Sequence, residues 1–191
     1  LYAKFNMEYA GVGGDANFLK TTFKGSYYKT LMDELDIVGL VSVGAGHIEG
    51  FGNDGLRVFD TFKNTQDMIR GFKYAGIGPR DANTDDDDGS FLGGKTYFNA
   101  SAETQFPMPV IPESLGIRGA LFADAATLFG SDFNDPDIDV SGSSMEWRAS
   151  VGASLMWASP FGPLRFDYAV PVKKVDGDQV QNFNFGMSSK F

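Results

Sequence analysis

Apolar and polar residues alternate along most of this chain with a period of two, the spacing of strands that bury one face. Ala3, Phe5, Met7 and Tyr9 alternate with Lys4, Asn6 and Glu8, and Leu19, Thr21, Phe23, Gly25 and Tyr27 alternate with Lys20, Thr22, Lys24 and Ser26. A third segment, about 35–48, sets Ile37, Val41 and Val43 against Asp36, Ser42 and Gly44, although Val38 and Leu40 interrupt its polar side. The fourth sets Phe98, Ala100, Ala102, Thr104 and Phe106 against Asn99, Ser101, Glu103 and Gln105, and prolines 107, 109 and 112 end it. The fifth, about 117–127, carries Asp124 on the face of Arg118, Ala120 and Phe122. A sixth sets Met145, Trp147, Ala149, Val151, Ala153, Leu155 and Trp157 against Glu146, Arg148, Ser150, Gly152 and Ser154. In the seventh, Leu164, Phe166, Tyr168 and Val170 oppose Arg165 and Asp167. The last puts Phe183, Phe185, Met187 and Phe191 opposite Asn182, Asn184, Ser188 and Lys190. The pattern predicts an all-β fold of about eight strands.

The connections are unequal. Ser159-Pro160-Phe161-Gly162 and Asp176-Gly177-Asp178 are short turns, whereas 131–144 is a long acidic loop and 49–94 shows no regular alternation. A loop as long as 49–94 is expected to be functional. The alternation fits a soluble sandwich or barrel as well as a membrane barrel, because periodicity does not say whether the apolar face meets a core or lipid. Three features favour lipid. The opposite face is small and polar rather than crowded with long charges. The aromatics cluster at strand ends, with Trp147 and Trp157 bracketing one apolar band. Short turns alternate with long acidic loops, as in outer-membrane barrels. The expected fold is therefore a transmembrane antiparallel up-and-down β-barrel.

Composition narrows the function. The net charge of −9 disfavours nucleic acid as a partner, and the chain has no cysteine and a single histidine, His47, which excludes thiolate metal sites and His clusters. Glycine (24) and phenylalanine (18) are abundant, as suits sheets with aromatic girdles. No apolar run reaches the ~18 residues of a membrane helix, which leaves strand-based spanning untouched. No nucleophile elbow, phosphate loop or metal pair is present, so neither an enzyme nor a cofactor is expected. The acidic runs Asp85-Asp86-Asp87-Asp88 and Asp132, Asn134, Asp135, Asp137, Asp139 lack the spacing of a calcium loop and read as solvated loop charge. The chain starts at Leu1 directly on an alternating segment and reads as a piece of something longer.

Within the long loop, Ile69-Arg70-Gly71-Phe72 is followed by Gly78-Pro79-Arg80-Asp81. An arginine held between a glycine and apolar residues in a loop needs an anionic partner to fix it. Glu103 and Asp124 are lone acids on the polar, inward faces of neighbouring strands, and a guanidinium fork can bridge two carboxylates. The bland alternative leaves both acids as hydrated lumenal charges and Arg70 at the loop surface.

Three stretches give the chain a family resemblance: Ile69-Arg70-Gly71-Phe72 with Gly78-Pro79; Trp157 to Leu164 running on to Asp167-Tyr168-Ala169-Val170-Pro171; and Lys173-Lys174-Val175-Asp176-Gly177-Asp178 leading into the aromatic last strand. Together they resemble the carboxy-terminal half of the barrel of the BamA family, the insertases of outer-membrane proteins. The resemblance implies that residues 1–191 are the carboxy-terminal part of a sixteen-stranded barrel in the bacterial outer membrane, without the family's periplasmic domains. It implies a brace from Arg70 to Glu103 and Asp124. It also implies a weak seam at the last strand (Phe183, Phe185, Phe191), where Gly186 and Ser188-Ser189 weaken packing and where client strands pair. On the residues alone, an ordinary lipid-facing last strand is equally compatible. Expected partners are outer-membrane lipids and lipopolysaccharide, unfolded outer-membrane clients and accessory assembly lipoproteins. A secretion transporter, a passive pore and a structural surface antigen are the alternatives. Eight strands could close into a small barrel or pair edges with a second copy.

Overall fold

The computed structural model describes residues 1–11, 17–51, 56–83, 90–109, 111–133 and 138–187. Eight strands form one antiparallel meander: β1 (Tyr2–Ala10), β2 (Phe18–Met32), β3 (Ile37–Gly50), β4 (Thr96–Pro107), β5 (Ile117–Phe129), β6 (Arg148–Ser159), β7 (Gly162–Lys173) and β8 (Phe183–Met187). Each strand pairs with its chain neighbours, so the spatial order equals the chain order. From β2 to β7 the strands run 12 to 15 residues, enough to cross a bilayer at a tilt. Among the described residues β1 and β8 are not paired with each other, and the sheet is an open, partial barrel.

Burial alternates as the sequence pattern requires. Along β4, Glu103 and Gln105 are buried on the concave face while Phe98 and Ala102 are exposed on the convex one. Phe5, Phe23, Val43, Phe98, Leu121, Val151, Leu155 and Val170 all lie exposed. Apolar side chains on the outside of a sheet with polar residues inside are the reverse of a soluble barrel and match a lipid-facing wall.

The conventional core is small and lies at one end of the concave face. Phe18, Ile48, Tyr97, Ala126 and Leu128 from the wall pack against Phe62, Met68, Ile69, Phe72 and Ile77 from the long loop. The loop therefore folds into the barrel rather than over its mouth. The connections 11–17, 51–95, 130–147 and 174–182 leave one end of the sheet, including the two longest, and those at 33–36, 108–116 and 160–161 leave the other.

Several local readings are refined. β2 extends to Met32, well past Tyr27, because its cross-strand pairing with β3 continues to Ile37. The third strand starts at Ile37, since Asp33–Leu35 forms a 3-10 turn. Leu40 does fall on the inward, polar face, opposite Glu103, and is buried there, lining the cavity below the loop. The sixth strand begins at Arg148 rather than Met145, so Trp147 precedes the strand and Trp157 lies within it. The 49–94 stretch contains short strands, Arg80–Asp81 pairing with Ser90–Phe91 within the stretch and with Val140–Ser141 of the 130–147 connection.

Candidate functional site

Arg70 sits at the tip of the inward loop, and the loop is built to deliver it. Asn64, fully buried, donates from Nδ2 to the Lys73 carbonyl (2.7 Å) and accepts from the Ile77 amide (3.2 Å), closing the segment that follows. Ile69 and Phe72, both 0% exposed, anchor the flanks of Arg70 in the core. Gly71 has φ +92°, a conformation that L side chains rarely adopt, and a Cβ there would lie 3.2 Å from Ala169 Cβ. Gly71–Phe72 then pairs antiparallel with Val180–Gln181, just before β8. The loop is thus stitched to the wall at β7 and to the segment entering the last strand.

The structure brings Arg70, Glu103 and Asp124 into direct contact. Arg70 Nε donates to Asp124 Oδ2 and Nη2 to Oδ1, both at 2.7 Å, a bidentate pair. The Arg70 amide adds a bond to Asp124 Oδ2 at 3.1 Å. Nη1 donates to Glu103 Oε2 at 2.7 Å and Nη2 to Ser101 Oγ at 3.0 Å. The guanidinium carbon lies 3.4 Å from the Phe122 ring centroid, so the cation also rests on an aromatic face. Register explains the convergence: Ser101 is directly opposite Asp124, and Glu103 opposite Phe122, across the β4–β5 ladder. The side chains of Arg70, Glu103 and Asp124 are 9%, 3% and 3% exposed, so this is a buried network whose separation would strand charge.

Two further residues, read from the sequence only as the polar face of the seventh strand, belong to it. Arg165 Nη2 and Nη1 donate to Glu103 Oε2 and Oε1 at 2.7 and 3.2 Å, and its Nε donates to Asp167 Oδ1 at 2.9 Å. Ser154 accepts from Arg165 Nη2 at 2.7 Å and donates to Asp167. Gln105 Nε2 completes Glu103 with a bond to Oε1 at 2.9 Å. Alternation gave the signal that Arg165 and Asp167 face inward; the sequence held no signal that Arg165 reaches across two intervening strands.

A second buried ion pair lies nearer the long-loop end. Arg148 Nε and Nη2 reach Asp178 at 3.0 Å, and the two side chains are 1% and 0% exposed. Asp178 Oδ2 also accepts from the Val175 amide at 2.7 Å, which organises the connection from β7 to β8. Arg80 of Gly78-Pro79-Arg80-Asp81 donates to the Asp176 carbonyl at 2.7 Å. At the rim, Lys95 bridges Glu49 (2.9 Å) and Asp132. Burial lowers the pKa of Lys95, but hydrogen bonds and attraction from the two carboxylates outweigh it and hold the ammonium above the ordinary lysine range.

Of the last-strand residues, Phe183 and Phe185 point outward and are exposed. Phe185 packs on Phe166 with ring centroids 4.9 Å apart. Phe191 lies outside the described residues, as do Ser188 and Ser189, Asp85 to Asp88, Asn134, Asp135 and Asp137. Among the described residues no group of three or more His, Cys, Asp or Glu is placed to hold a metal ion.

A lipid-facing antiparallel wall with a long loop locked onto its inner face by buried charge defines an outer-membrane β-barrel with an internal loop. Residues 1–191 match the Omp85 superfamily domain, and the chain belongs to that superfamily. It is 38% identical over 188 residues to the outer membrane protein assembly factor BamA of Neorickettsia risticii, covering 98% of this chain and 24% of that protein. It is 27% identical over 198 residues to the sorting and assembly machinery component 50 homolog of Bos taurus, covering 98% of this chain and 40% of that protein. The crystal structure of BamA from Haemophilus ducreyi lacking POTRA domains 1–3 superposes with a TM-score of 0.80 at 29% identity, covering 96% of this chain and 37% of that one. The chain spans about a quarter of the length of the Neorickettsia relative.

Proposed function

We propose that this chain is the carboxy-terminal part of the barrel of an outer-membrane protein insertase, and that it acts by presenting the edge of β8 as a template for incoming strands. The observation that carries this reading is the contrast between a fixed loop and a sparse edge. Arg70 is held by seven polar or aromatic contacts, whereas among the described residues β8 pairs with β7 over the five positions from Leu164↔Met187 to Tyr168↔Phe183. An edge strand with free backbone groups pairs readily with another chain, and in lipid the pressure to pair is strong. A client strand would add to that edge by β-augmentation. The relatives named for outer-membrane protein assembly and for sorting and assembly support the same reading.

The chemistry required is strand pairing and local bilayer deformation, with no bond made or broken and no cofactor. The partners implied are unfolded outer-membrane clients, the surrounding lipid and lipopolysaccharide, and accessory assembly lipoproteins that would bind outside this chain. The test uses the complete protein in two assays. An insertase accelerates the folding of an unfolded barrel client into liposomes. A secretion transporter or passive pore leaves that rate at the lipid-only value, and a pore conducts ions steadily across a planar bilayer. No acceleration by the complete protein would overturn the proposal.

A further inference from the structure

Arg165 sits in the β7–β8 ladder, which is five pairs long among the described residues. Its cross-strand partner on β8 is Gly186, and that of Asp167 is Asn184. Yet its guanidinium is bonded away from β8, to Glu103 on β4. Those strands are three ladder spacings apart, about 14 Å along the wall, so the contact is a chord across the concave face. The carboxylate it reaches is the one that holds the loop: Glu103 Oε2 accepts from Arg70 Nη1 and from Arg165 Nη2, each at 2.7 Å. One oxygen thus serves the loop and the seam-bearing strand together. Asp167 lies 2.9 Å from Arg165 and 3.9 Å from Arg70, so it too faces both cations.

We infer that Arg165 is a positioning residue that couples the seated loop to the β8 edge. With Arg70 in place, Glu103 is fixed, the chord to Arg165 has a set length, and β7 carries β8 at one curvature. If the loop withdraws, Glu103 loses a partner and the chord loses its fixed end. A guanidinium suits this role because its separated nitrogens make four bonds at once, two to Glu103 and one each to Asp167 and Ser154, more than the three donors on the single nitrogen of an ammonium can supply. At Gly186, the position opposite Arg165, a Cβ would meet no described atom within 4 Å, so on this inward face no described side chain packs against the edge there.

The consequence for client strands rests on the insertase reading, but the coupling itself can be measured without it. This chain has no cysteine, and with any cysteine elsewhere in the complete protein replaced by serine, spin labels are placed by the paired substitutions L121C/F185C (from β5 to the edge) and V43C/L121C (within the wall), at exposed, lipid-facing positions. Distances are read by pulsed electron paramagnetic resonance in the complete protein in liposomes. Two variants are compared with wild type: Arg165→Lys, which keeps the charge, and the double variant Arg165→Gln/Asp167→Asn, which removes one charge of each sign. The inference predicts a distance distribution about twofold broader for L121C/F185C in both variants, and no change for V43C/L121C. If the double variant does not fold, Arg165→Lys decides. An L121C/F185C distribution as narrow as wild type, or equal broadening of both pairs, overturns the coupling. Narrow distributions alongside normal client folding reject the coupling and leave the insertase reading intact. A broadened edge in a protein whose wild type never accelerates client folding does the reverse.

Discussion

The guanidinium of Arg70 rests on the ring of Phe122, 3.4 Å from its centroid, while its edge nitrogens bind Asp124 and Glu103. Phe122 is itself the residue facing Glu103 across the β4–β5 ladder, so one position supplies the floor beneath the cation that the other neutralises. Replacing Phe122 with Leu keeps an apolar contact and removes the aromatic face. The expected loss is about 1–2 kcal/mol, read as a lower urea midpoint for the folded, heat-modifiable band of the complete protein.

Removing Arg70 itself is more severe. Arg70→Ala leaves Glu103 and Asp124 buried with a cation missing, at a cost of about 3–5 kcal/mol. Arg70→Lys keeps the charge but cannot reproduce the bidentate pair, so it falls between wild type and Ala. Limited proteolysis of the segment 73–83 reads the result: protection in wild type, cleavage in Ala, intermediate cleavage in Lys. Equal protection in all three would contradict a loop held by this contact.

Gly152 lies opposite Phe122 on β6, and a Cβ there would stand 2.2 Å from the Tyr168 carbonyl oxygen and 2.5 Å from Phe122 Cζ. The carbonyl belongs to a paired strand and cannot step aside. Gly152→Ala should cost about 1–3 kcal/mol and loosen the loop by shifting the Phe122 ring. The same proteolysis assay should show faster cleavage, though slower than for Arg70→Ala.

The alternation of apolar and polar residues made the strands and their inward faces readable, because a period of two depends only on which face meets lipid. It put Glu103, Asp124, Arg165 and Asp167 on one concave surface. What stayed hidden was long-range geometry. That Arg165 spans from β7 to Glu103 depends on wall curvature, and that Asp178 in an apparent surface turn is fully buried against Arg148 depends on how the 174–182 connection folds inward. Strand ends were also blurred: Met145 and Trp147 continue the alternation by spacing but lie before β6. Leu40 looked like a defect because the cavity it lines is formed by a loop distant in sequence.

The Arg148–Asp178 pair predicts a second, separable phenotype. Asp178→Asn leaves a guanidinium buried without its counter-charge and weakens the bond to the Val175 amide, for a loss of about 3–5 kcal/mol. Hydrogen exchange should quicken at Val175 while the Arg70 amide, bonded to Asp124, remains protected.

The rim lysine has a defined pH signature. Lys95 has a folded-state pKa raised above its ordinary value by Asp132 and Glu49, against the opposing effect of burial. Its contribution is therefore fully present below the ordinary lysine pKa and is lost as pH rises through the raised value. The stability difference between wild type and Lys95→Gln should stay constant through neutral pH and vanish only in strong alkali. A difference that disappears between pH 6 and about 8 would contradict the assignment.

Photo-crosslinking from the edge strand tests the central claim most directly. A photoreactive residue is placed at Phe185 on β8 or at Val151 on β6, both exposed and outward, in the complete protein during insertion of an unfolded outer-membrane client. Templating at the edge predicts client adducts from position 185 that appear before the client is folded and disappear on release, with few or none from position 151. Equal adducts from both positions, or none from position 185 while client folding is still accelerated, would contradict it.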